Sequence, residues 1–179
     1  MADTSLISGW FPVATLVAGY ALKFVSDLVQ NRWSLAKERE SREAARAEKR
    51  YERRSAFQRE TLLALQEAAQ KLGRATGQTN YHDEVAASEG TPWRKNRLPD
   101  ELDTQYFEAQ TQVALLSARV SDEQVRKLIA DYKTESVSVV HSSSSAVAHQ
   151  HIVQLMDVGE VLHERIGKLI RSIDDDDAP

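Results

Sequence analysis

Hydrophobic positions fall into five stretches along the chain, and each predicts an element by its period. The first is a run of 19 residues from Thr4 to Leu22 with no charged side chain. The other four are amphipathic. Leu62, Leu65, Ala69 and Leu72 recur at spacings of three and four, as one helix face requires, and Gly73 and Gly77 weaken that helix toward its end. Residues 78–98 hold no clean period and include Gly90 and Pro92, which predicts a long connection with room for a short helix inside it. A second helix begins near "LPDELD", where Pro99 suits a first turn with acids beside it. It presents Leu102, Tyr106, Ala109, Val113, Leu116 and Val120 on one side. In "SDEQ", Ser121 can cap and Gln124 can complete a reciprocal box, so a third helix restarts there and carries Val125, Leu128, Ile129, Tyr132 and Val139. "HSSSS" at 141–145 predicts a turn, because serines offer the backbone alternatives to helix. The last stretch is the most regular: Ile152, Leu155, Gly159, Leu162, Ile166, Leu169 and Ile173 form an apolar seam of heptad type. The acidic residues 174–179 oppose the helix dipole at that end and predict a disordered tail.

Four amphipathic helices joined by links predict an all-α fold, with an antiparallel four-helix bundle over 61–173. Its expected core is Leu62, Leu65, Leu72, Leu102, Tyr106, Val113, Leu116, Leu128, Ile152, Leu155, Leu162, Ile166 and Leu169. The apolar faces require no cofactor.

The uncharged run changes the picture from a bundle to a bundle with an anchor. Leu6 to Val25 spans 20 residues, 14 of them apolar, and a helix of that length covers about 30 Å, the thickness of a bilayer's hydrocarbon. Its nine Leu, Ile, Phe and Val residues favour insertion by roughly 3 to 5 kcal/mol, against a cost of at most about 3 kcal/mol for Lys23. A cleaved signal would need basic residues ahead of the run, yet Asp3 is the only charged side chain among residues 1–5. A retained transmembrane anchor over 6–30 is therefore expected, after a short external segment 1–5. Trp10, Phe11, Leu16, Val17, Leu22, Lys23 and Trp33 are its membrane and interface residues. Trp10 and Trp33 are 23 residues apart, a separation suited to two interfacial belts. Lys23 either snorkels to the headgroups or, with Asp27 one turn onward, forms an intramembrane charge pair; the sequence leaves both open.

Residues 31–60 carry ten Lys and Arg against six Glu and predict a basic helical stalk beside the membrane. The positive-inside rule then puts the body in the cytoplasm and the N-terminus outside, in a single-pass protein of the cell membrane. The segment's net charge of +4 suits anionic lipid headgroups, which are the expected partners there. Nucleic acid is not expected, since the basic residues are interleaved with glutamates and residues 61–179 carry −7.

Candidate chemistry is sparse. The chain has no Cys, which excludes disulfides, thiolate metal sites and cysteine nucleophiles. His149 and His151 lie about 200° apart around a helix and do not share one metal, and His82, His141 and His163 are scattered. No nucleophile elbow, phosphate loop or dinucleotide fingerprint is present, so no catalytic residue, metal or cofactor is expected and the protein is read as a non-enzyme. "PWRKNR" at 92–97 is either a docking loop or a cover for the core edge through Trp93.

The order of an N-terminal span, a charged Arg/Glu/Ala helix and "FQRETLLALQEAAQKLGRATGQ" resembles uncharacterised bacterial membrane-anchored helical proteins, over residues 10–80. That resemblance implies architecture and no activity. A looser likeness to the stator b-subunit of rotary ATP synthases is architectural only. The expected function is that of an interaction or scaffold module at the cytoplasmic face, as a homo-oligomer or with a protein partner. The alternatives are a membrane-active oligomer of holin or toxin type, in which small pairs such as Ala14 with Ala18 pack the spans, and a soluble assembly that buries residues 6–30 between subunits.

Overall fold

The computed structural model describes the backbone of residues 5–176, and the side chains of residues 23, 32–34 and 37–175. The described residues form four α-helices and no strand: α1 (Ser5–Ser88), α2 (Asp100–Ser117), α3 (Glu123–Val140) and α4 (Ser145–Asp176). The chain divides into two compact units, Met1–Tyr51 and Glu52–Pro179.

The described residues of the first unit all belong to α1. Its described side chains, Lys23 and Trp33 among them, are exposed, and Arg42 donates to Glu38 across one turn at 2.6 Å. Trp10, Phe11, Leu16, Val17 and Leu22 lie outside the described side chains. Among the described residues no helix is long and apolar enough to cross a membrane.

In the second unit, the last part of α1 joins α2, α3 and α4 around one core. Gln58 Nε2 donates to the Arg119 carbonyl at 3.2 Å, and the Thr76 hydroxyl lies 2.7 Å from that of Ser136, itself 3.3 Å from the Tyr106 hydroxyl. Numbers rise together between α1 and α3 and oppose between α1 and α2. Further pairs, Glu135 with His151 at 2.8 Å and Asp122 with Arg165 at 2.6 Å, run α3 against α4. The helices therefore alternate in direction, as short connections dictate.

Burial follows the apolar seams. Leu62, Leu65, Leu72, Val113, Leu155, Leu162 and Ile166 are buried together with Val125 and Ile129, while Tyr106, Leu116, Leu128 and Leu169 are half-buried against them. Leu102 and Ile152 are half-buried.

Tyr132 sits at the centre of the packing. A Cβ on Gly73 of α1 would stand 2.3 Å from the Tyr132 hydroxyl, and one on Gly159 of α4 would stand 3.0 Å from its ring. The ring fills the space that two missing side chains leave, and the hydroxyl donates to the Ala69 carbonyl at 3.2 Å.

Three local expectations are corrected. Gly73 and Gly77 do not end the first amphipathic helix, and the connection begins after Ser88 rather than at residue 78. The inward face beyond Ala75 is polar, made of Thr76, Thr79, Asn80 and Asp83, so an apolar period cannot reveal it. Thr76 and Thr79 satisfy their buried hydroxyls within the helix by donating to the carbonyls of Leu72 and Ala75, at 2.8 and 3.0 Å. The cap of α3 is Asp122, not Ser121: its carboxylate accepts from the Val125 amide at 2.8 Å. Ser121 instead donates to Gln58 Oε1 at 2.9 Å, which ties the α2–α3 connection to α1.

Leu162→Ala should destabilise the protein by about 2 to 5 kcal/mol, through lost burial and the cavity left behind, while exposed Glu164→Ala should change little. Denaturant titration of the two variants measures the contrast. The glycines differ in the same way. Exposed Gly77, with nothing within 4 Å of an added Cβ, should gain up to about 1 kcal/mol as alanine, whereas Gly73→Ala should lower the melting temperature by displacing Tyr132.

Candidate interaction surfaces

The two ends of the bundle differ in chemistry, and the polar end is built by the α1–α2 connection. Helix α1 stops where Gly90 takes φ 91°: its amide donates to the Ala87 carbonyl and the Thr91 amide to that of Ala86, the paired bonds of a glycine C-terminal cap. A turn closed by the Lys95 amide on the Pro92 carbonyl at 3.0 Å then holds Arg94 at φ 59°, a conformation that favours glycine. Three side chains pin this connection. Trp93 donates its ring N–H to the Ser142 carbonyl at 3.1 Å, Arg94 lies 3.2 Å from His141 Nδ1, and Asn96 lies 2.7 Å from His82 Nδ1. Trp93 is thus half-buried against the α3–α4 turn.

Beneath the connection lies a cleft of about 330 Å³, lined by Thr79, Asp83, Arg94, Asn96, Asp100 and Asp103 among others. Asp83 is buried, and burial raises its carboxyl above the usual range although Asn96, Arg94 and His82 pull it down. Asn80 and Asn96 each keep a buried Oδ1 without a hydrogen-bond partner among the described residues.

A second concavity, of about 630 Å³, runs between α1 and α2. Buried Ala75 and Ala109 are part of its lining. Lys71, Arg74 and Gln78 come from α1, at spacings that share a helix face; Phe107, Thr111 and Leu115 of α2 rise opposite, one turn apart. Phe107 is 70% and Leu115 60% exposed, so large apolar side chains project where a helix facing only water would carry polar ones. This surface was missed in the sequence because Phe107 and Leu115 fall outside the core seam of α2. Their spacing of eight residues was the available signal.

The histidines do not converge. His149 is exposed, His151 lies 2.8 Å from Glu135, and half-buried His163 has an Nδ1 without a partner among the described residues. Burial lowers the pKa of His163. Among the described residues no group of three or more His, Asp or Glu could hold a metal ion.

No protein-family model matches the sequence, and neither a curated protein nor a solved structure is detectably similar.

The shifted carboxyls give opposite pH signatures. Asp122 is desolvated, which raises its pKa, but the bonds from Arg165 and the Val125 amide prevail and lower it. Its stabilisation is present above the ordinary value of 3.8 and is lost as pH falls through the depressed one. For Asp83 the sign reverses: stability is full below 3.8 and declines as pH rises through the raised value, where a buried charge forms. Asp83→Asn should therefore melt higher than the parent at pH 7, with the gain vanishing below the ordinary Asp range. Melting temperatures between pH 3 and 8 check both the sign and the window.

Proposed function

We propose that this protein is a non-enzymatic interaction module: a helical bundle held at the cytoplasmic face of a membrane by an N-terminal span over residues 6–30. One observation carries the reading. A single unbroken helix, α1, includes both the uncharged run to Leu22 and the segment 31–60, whose ten Lys and Arg outnumber six Glu. An apolar helix continuing into a basic one matches a bilayer interior followed by anionic headgroups on the cytoplasmic side. The exposure of every described side chain from Lys37 to Arg54 agrees with a helix among headgroups and water rather than in a core. The bundle completes its own core, so the exposed Phe107 and Leu115 beside the α1–α2 groove are surplus to folding and suit recognition.

Membrane fractions should retain the full chain through alkaline carbonate, and a reporter active only in the cytoplasm should work at the C-terminus. Release by carbonate would point instead to residues 6–30 buried between subunits. A reporter active only outside would reverse the orientation.

A further inference from the structure

The α1–α2 groove raises the question of its occupant, and its residues describe one. Phe107 and Leu115 each stand four residues from Thr111, so two large apolar side chains of α2 are evenly spaced about that threonine. A two-fold axis through Thr111 lays this pair antiparallel on a copy of itself, with Phe107 of each protomer against Leu115 of its partner. The same face that carries this ridge carries the groove lined by Ala75 and Ala109, so one surface supplies both the projecting side chains and a place to receive them.

Charge agrees with the shape. The α1 side of the groove offers Lys71 and Arg74, and the α2 side offers Glu108. When α2 of one protomer enters the groove of the other, its Glu108 meets the basic side of the partner. Among the described residues Lys71 forms an exposed bridge to Glu67 at 2.8 Å, a pair of the kind that contributes little. A groove of one sign would repel its own copy; this one is divided by sign between its two sides.

We infer that the groove is the interface of a symmetric homodimer, with α2 packed on α2 of a second copy about Thr111. The inference rests on the reading of the bundle as an interaction module and names its partner as the same chain. It does not depend on the span.

The chain has no cysteine, so a single introduced thiol reports symmetry directly. In the detergent-solubilised full chain, Thr111→Cys should form an inter-chain disulfide under mild oxidation far faster than Met156→Cys, on the exposed outer side of α4. Sedimentation should show that Phe107→Glu weakens self-association about tenfold or more, as loss of a central aromatic anchor does. Lys71→Glu should weaken it less, and adding Glu108→Lys to that variant should restore it. Circular dichroism melting of each variant separates loss of the interface from loss of the fold, since all these positions are exposed. A monomeric parent, equal cross-linking at residues 111 and 156, or a dimer unaffected by Phe107→Glu would each overturn the inference. A monomer that binds another protein through this groove would do so as well, while leaving the interaction-module reading intact.

Discussion

Tyr132 fixes how closely the helices of the bundle approach. Its ring occupies space that only glycine leaves open, at Gly73 on one side and Gly159 on the other, and its hydroxyl reaches the Ala69 carbonyl. A buried phenol needs such a partner, because an unpaired hydroxyl in an apolar interior is costly. The consequence is a register. With Tyr132 seated, α1 and α3 lie in one axial alignment, and the Thr76 and Ser136 hydroxyls meet one turn further along. Burial raises the Tyr132 phenol above its ordinary range, which favours the protonated form that donates this bond.

Around that point the bundle divides. On one side the core is aliphatic, with Leu62, Leu65, Val125, Ile129, Leu162 and Ile166 in mutual contact. On the other it is hydrogen-bonded, through Thr76, Thr79, Asn80, Asp83 and Ser136 and the connection that Trp93 and Asn96 tie down. Arg165 and Asp122 clamp the aliphatic side from outside, joining the cap of α3 to α4 in one ion pair.

That division explains what could be read from sequence. The four helical segments, the seam of α4 and the position of the α3–α4 turn were legible, because aliphatic residues at helical spacing report a buried face directly. The extension of α1 to Ser88 was not. Its inner face is polar, and a Thr or Asn that bonds inward looks the same in sequence as one that faces water. Capping failed by one residue for a related reason: Ser121 and Asp122 are both good caps, and Gln58, 63 residues away, claims the serine. The exposed pair Phe107 and Leu115 was hard to read because it violates the amphipathic pattern, and its spacing of eight residues acquires meaning only once the groove beside it is known. Gly73 carried its own ambiguity, since glycine marks both helix ends and close helix approach.

A core that is aliphatic on one side and hydrogen-bonded on the other does not respond evenly to temperature. Aliphatic burial is entropic near room temperature and weakens on cooling, whereas hydrogen bonds among hydroxyl and amide groups do not share that dependence. Cooling therefore weakens the contribution of the burial around Leu65 and Ile166 more than that of the hydrogen bonds around Ser136. Tyr132 stands at the border between these two kinds of contact.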